Sequence, residues 1–137
     1  MRVVCDTNVL VSSFLTPYGA PAKIVELFLE KKIRFCYDAR LLAEYEEVLS
    51  RPKFRIPRER IRCVVDAVRM EGELISGQAR RVKLTDPDDE PFLEVALAGK
   101  VECLITGNTD DFKTQAPSSV PVYSPSRFLD RYRALFE

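Results

Sequence analysis

Histidine is absent from the 137 residues, which removes every Ser–His and Cys–His mechanism and every imidazole–metal site at once. Acid–base and ligand chemistry must fall to carboxylates. Cysteine is scarce and unpaired in pattern: Cys5, Cys36, Cys63 and Cys103 form no CxxC. Three of them lie in or beside apolar strand candidates, where Cys acts as a small buried hydrophobe, so neither a zinc site nor a disulfide framework is indicated. Net charge is also absent, with 21 basic against 21 acidic residues, so no global field draws the chain to nucleic acid and a basic footprint must be local. No apolar run approaches the roughly 18 residues of a membrane span, and Met1 leads straight into a strand candidate rather than a signal peptide. The expectation is a cytoplasmic protein without membrane contact. Repeats and low-complexity tracts are missing, and the length suits one domain over residues 1–137 with a core that needs no staples.

What is present is organised around Arg2-Val3-Val4-Cys5-Asp6-Thr7-Asn8-Val9-Leu10, read as a buried strand that stops at a carboxylate. Pro17, Gly19 and Pro21 break the chain, after which Ile24, Val25, Leu27 and Phe28 give a helical stripe. Ile33 to Tyr37 is a second strand, so the unit is βαβ and the sheet should be parallel. Asp38 is the expected N-cap of a helix bearing Leu41, Leu42, Tyr45, Val48 and Leu49, ended by Arg51-Pro52. A further helix is expected from about Arg58 to Met70, and the stretch from Gly72 to Leu84 is weakly patterned. Asp86-Pro87-Asp88-Asp89-Glu90-Pro91 is a turn into a helix stopped at Gly99. Cys103 to Thr106 is a buried strand before the polar loop Gly107 to Phe112. Val120 to Tyr123 reads as an edge strand because of Pro121, and Ser124-Pro125 caps a last helix.

Parallel strands share one C-terminal edge, where open α/β proteins bind ligands, and Asp6, the Glu44 helix and the loop from Asn108 to Asp111 all follow directly on strands. Asp6 is read as the first ligand of a divalent metal site. The Glu44 helix runs away from the edge at about 1.5 Å per residue, so Glu44 lies nearer to it than Glu47; Glu44 also borders the apolar arc while Glu47 points away. Carboxylates gathered within a few Å repel by on the order of 1 kcal/mol or more per pair, so a cation should sit among them. Oxygen ligands without His or Cys favour Mg²⁺ or Mn²⁺ over zinc.

The motifs CDTNVLVS (Cys5 to Ser12), LLAEYEEVLSRPKF (Leu41 to Phe54), DPDDEPFLEVALAG (Asp86 to Gly99) and LITGNTDDF (Leu104 to Phe112), in this order, resemble the PIN-domain ribonucleases, specifically the small prokaryotic VapC-like toxin components. The resemblance implies a three-layer α/β/α, Rossmann-like fold with a mainly parallel sheet. It also implies Mg²⁺ or Mn²⁺, cleavage of single-stranded RNA, a homodimer and a cognate antitoxin. Carried over by position, Asp6, Glu44 and Asp89 would hold the metal and its water, with Asp88 the alternative to Asp89 because the DPDD register is ambiguous by one. Asn108 stands where Asp is frequent in the family and offers only a neutral carbonyl, which leaves Asp111 to supply that charge. Thr7, Asn8 and Thr106 would hydrogen-bond the carboxylates or the scissile phosphate.

Arg51, Lys53, Arg55 and Arg58, continued by Arg60 and Arg62, make the one locally basic stretch. It suits a phosphate-backbone track or an acidic antitoxin segment, and equally a solvated surface; Pro52 and Pro57 should hold it extended. Arg80, Arg81 and Lys83 form a weaker patch. Two rival functions share the leading Asp. A haloacid-dehalogenase-type phosphatase needs a second Asp where Asn8 stands, and a degenerate PIN module that binds without cutting finds its support in Asn108.

Overall fold

Val3, Val4 and Cys5 are fully enclosed because the strand they form, β1 (Arg2–Cys5), has a neighbour on each side and helices over its faces. The computed structural model of the chain describes residues 1–76, 82–113 and 120–136. The strands β2 (Arg34–Tyr37), β3 (Glu73–Leu74), β4 (Cys103–Ile105) and β5 (Val122–Tyr123) join β1 in one five-stranded sheet of order β3-β2-β1-β4-β5. Every pairing is parallel, with Val3 opposite Phe35 and Cys103, and Leu104 opposite Val122. Central parallel strands are apolar on both faces for this reason, and β5 takes the edge that Pro121 requires.

The helices are α1 (Thr7–Leu15), α2 (Ala20–Leu29), α3 (Ala39–Leu49), α4 (Arg58–Glu71), α5 (Glu90–Gly99) and α6 (Pro125–Phe136). They flank the sheet in a three-layer α/β/α arrangement: α5 lies over β1, β2 and β4, α1 packs on α2, α2 on α6, and α3 on α4. One hydrophobic core runs through them. Phe28 of α2 stacks on Phe35 of β2 with ring centroids 4.2 Å apart, and burial of such a side chain stabilises by about 1.5–3 kcal/mol. Cys5, Cys36 and Cys103 are buried, free thiols, whereas Cys63 is exposed. Among the described residues no helix is long and apolar enough to cross a membrane.

Three local features go beyond expectation or differ from it. The run after Asp6, to which the sequence pattern assigns no element, is helical over Thr7–Leu15, and the chain turns at Asp6, whose extended backbone and Thr7-capping carboxylate start α1. The apolar, β-branched Val9-Leu10-Val11 hid this, since a buried helix and a buried strand share that composition. Pro52–Phe54 forms a 3₁₀ turn closed by left-handed Arg55 at φ 53° rather than an extended piece; a proline φ suits the first position of a helical turn as well as an extended one. α5 does stop at Gly99, but the left-handed residue that closes it is the next one, Lys100, φ 50°; a Cβ on Gly99 would lie 3.1 Å from Cδ1 of Ile75.

Candidate active site

Asp6 is 5% exposed and sits where β1 ends beside β4, its amide donating to the Ile105 carbonyl at 2.9 Å. Its Oδ1 accepts from the Thr7 amide at 2.7 Å. Its Oδ2 accepts from Thr106 Oγ1 at 2.8 Å and Asn8 Nδ2 at 3.3 Å. Burial outweighs these hydrogen bonds, and with repulsion from Glu44 and Asp111 it pushes the Asp6 carboxyl up to about 6. Asn8 also accepts from the Gly107 amide at 2.9 Å, tying the start of α1 to the loop after β4.

Glu44 reaches the same place from the second turn of α3. Asp38 caps that helix, accepting from the amides of Arg40 and Leu41 as its position after β2 suggests. The Thr7 hydroxyl donates to Glu44 Oε2, and burial raises the Glu44 carboxyl above its ordinary range, with repulsion from Asp88 and Glu47 adding to it. Glu47 is exposed and paired with Arg51. The neighbouring Tyr45, fully buried, donates its hydroxyl to the Cys5 carbonyl and so anchors the peptide that presents Asp6. Sequence patterning marked Tyr45 only as core. Tyr45→Phe is expected to destabilise by about 1–3 kcal/mol, because the buried carbonyl loses its partner; urea unfolding of the two proteins checks this, and equal midpoints would refute it.

Asp89 opens α5 without capping it. The capping carboxylate of the DPDD turn is Asp86, which accepts from the Asp88 amide at 2.9 Å. Asp88 is exposed, while Asp89 turns inward and its Oδ2 is buried with no hydrogen-bond partner. Burial, then repulsion from Asp6, Asp86, Asp111 and Glu44, pushes the Asp89 carboxyl up to about 7. Asp111 lies in the 3₁₀ turn Thr109–Phe112 after β4. It accepts from Asn108 Nδ2 at 2.7 Å, and the Asn108 amide donates to Thr106 Oγ1 at 3.1 Å. Asp6, Glu44, Asp89 and Asp111 therefore form one electrostatically coupled set from four elements.

Among the described residues, no three His, Cys, Asp or Glu side chains are drawn together closely enough to hold a metal ion as they stand. Thr7, Thr106 and Asn108 engage oxygens of Glu44, Asp6 and Asp111 instead. The orphaned Asp89 oxygen, beside the Asp6 and Glu44 carboxyls that burial and neighbouring charge push up, nevertheless fits a hard divalent cation.

The basic stretch divides. Arg51 follows the Ser50 C-cap of α3 and pairs with Glu47 at 2.9 Å, its charge also reaching Glu44. Lys53 Nζ lies 5.1 Å from the centre of the Phe54 ring, and Arg55 is in the left-handed turn. Arg58 lines a cleft of about 330 Å³ with Glu46, Arg62, Asp66 and Arg69. Glu46 is roughly 200° around α3 from Glu44, so Arg58 is on the side of α3 away from the acids. Arg80 and Arg81 fall outside the described residues; Lys83 is exposed.

Compared with known proteins, residues 2–110 match the model of the PIN domain. An uncharacterized protein of Methanocaldococcus jannaschii is 32% identical over 113 residues, covering 80% of this chain and 72% of its own length.

Proposed function

Because the chain belongs to the PIN-domain family, whose members are generally nucleases, we propose that the acidic rim at the ends of β1 and β4 is the active centre of an Mg²⁺- or Mn²⁺-dependent endoribonuclease acting on single-stranded RNA. The observation that carries this reading is the unpartnered, buried Oδ2 of Asp89, whose carboxyl is pushed up by burial and by the charges of Asp6, Asp86, Asp111 and Glu44. A polar atom left so costs about 1–3 kcal/mol unless a partner arrives, and a cation would satisfy it while relieving the repulsion.

Asp6, Glu44, Asp89 and Asp111 would hold the ion. Bound there, a divalent ion lowers the pKa of water and neutralises charge building on a phosphodiester. The chain's own groups do the rest. Thr106 Oγ1 and the Thr7 amide fix the Asp6 carboxylate, and Thr7 Oγ1 fixes Glu44. Asn8 sets the Gly107 amide at the rim, and Arg51, the member of the basic stretch whose charge reaches Glu44, would meet the incoming phosphates.

The finer reading, a VapC-like toxin of one domain that pairs with itself and with an antitoxin, rests on the motif resemblance. The four-motif match and the exposed Arg55 and Arg58, which suit an acidic antitoxin segment, support it. A module that binds RNA without cutting is favoured by Asn108, a neutral side chain spent on Asp111.

Incubation of the purified chain with unstructured RNA in Mn²⁺ separates the two. Cleavage that EDTA abolishes supports the nuclease; RNA retention without any metal-dependent product supports the binding module.

A further inference from the structure

Among the described residues two acids are buried, Asp6 in the site and Glu94 in the apolar run of α5, 9% exposed between Leu93 and Val95. Glu94 spends both oxygens. Oε1 accepts from Arg40 Nη1 at 2.8 Å, and Oε2 accepts from the Val82 amide at 3.2 Å. The same guanidinium holds Asp38 Oδ2 at 2.9 Å through Nε and Nη2, and Asp38 is the cap of α3. One fork therefore ties three pieces together: the first turn of α3, the middle of α5 and the start of the segment leading into the DPDD turn. Glu90 fixes that segment once more, accepting from the Leu84 amide at 2.9 Å.

The placement of the fork is what gives it a function. Arg40 precedes Glu44 by four residues, one turn up the same side of α3, and Glu94 follows Asp89 by five on α5. The fork thus spans the two helices that bear Glu44 and Asp89, whose charges repel. Tyr45 and Phe92, ring centroids 6.2 Å apart, pack between the same helices, and the guanidinium shared by two carboxylates adds a directional tie to that packing.

We propose that Arg40 and Glu94 are positioning residues for the acidic centre, their ion pair clamping α3 and the segment 82–89 to α5 at the spacing that lets Glu44 and Asp89 share one cation. The proposal rests on the metal-dependent reading above.

The test is calorimetric titration of the full chain with MnCl₂ and no RNA, beside thermal unfolding in EDTA. Glu94→Gln keeps the shape and loses the charge; Arg40→Gln breaks the fork from its half-exposed end, so it decides the matter if Glu94→Gln does not fold. Each is expected to weaken Mn²⁺ binding roughly 10- to 100-fold, the usual loss when a group orienting a metal ligand is removed. The double variant is expected to lose no more than the worse single, because both break one clamp. Arg133→Gln, which breaks the distant Asp130 pair of α6, is expected to bind as the parent does. Variants that bind Mn²⁺ like a parent that itself binds overturn the clamp alone, as do losses that only follow the unfolded fraction at the assay temperature. A parent that binds no Mn²⁺ overturns the metal-dependent reading and the clamp with it.

Discussion

Asp6→Asn is expected to lower RNA cleavage on the order of 10³-fold or more, the scale seen when a group that stabilises transition-state charge is removed, while leaving the metal-free protein at least as stable as the parent. The two effects have one cause. Asp6 is the most buried of the four acids, and its carboxyl is pushed up to about 6 by burial and by Glu44 and Asp111. A neutral amide removes the charge a cation needs and the repulsion the empty site bears. Its carbonyl can still accept from the Thr7 amide, as Asp6 does at 2.7 Å, so α1 keeps its start. Initial cleavage rates in Mn²⁺ and melting temperatures in EDTA at pH 8 measure the pair. Wild-type cleavage by the variant would mean that Asp6 is no ligand, and a large drop in melting temperature would mean that it is a structural cap.

Proton and metal should compete for the same oxygens. Asp6 is raised to about 6 and Asp89 to about 7 from an ordinary 3.8, so both bind protons more tightly folded than unfolded. Their contribution to stability is therefore fully present below about pH 4 and is lost as pH rises through 6 and 7. For Asp6 alone the shift corresponds to about 3 kcal/mol; the more exposed Asp89 adds less, because solvent screens it. In EDTA the protein should melt at a higher temperature at pH 5.5 than at pH 8. Mn²⁺ should reverse the order, since binding releases the protons: affinity should climb by up to about two decades per pH unit below pH 6 and level off above 7. Calorimetric titrations at pH 5.5, 6.5 and 7.5 would show it, and an affinity flat across that range would separate these carboxyls from the metal.

Much of the frame was legible because local and tertiary demands agree. Ile33 to Tyr37 is β-branched and aromatic and becomes β2; Asp38 caps α3; Pro121 sits at an edge. Glu44 was preferred over Glu47 on rise and wheel angle alone, and in the structure Glu44 faces Thr7 while Glu47 faces Arg51 in solvent. What stayed hidden were features fixed by partners distant in sequence. Nothing within α5 announces that Glu94 is bound to Arg40, 54 positions earlier, though an acid inside Phe-Leu-Glu-Val-Ala-Leu-Ala was a signal open to reading, since a buried charge implies a paired one. The DPDD register was ambiguous locally, and it takes the fold to turn Asp89 inward and leave Asp88 outside. α1 stayed without an assignment because composition cannot tell a buried helix from a buried strand over a run as short as its nine residues.

The bonds that fix the Asp6 and Glu44 carboxylates join Thr106 to Asp6 across 100 positions and Thr7 to Glu44 across 37. Closing such loops costs entropy that no local contact repays in advance, so these bonds are expected to form only once the elements that carry them have come together. During synthesis Asp6 emerges first and stays without its β4 neighbours until Thr106 and Asp111 have followed. A growing chain therefore carries no assembled acidic centre until Thr106 has emerged and β4 can pair with β1: the topology itself sets the earliest point at which the four acids meet.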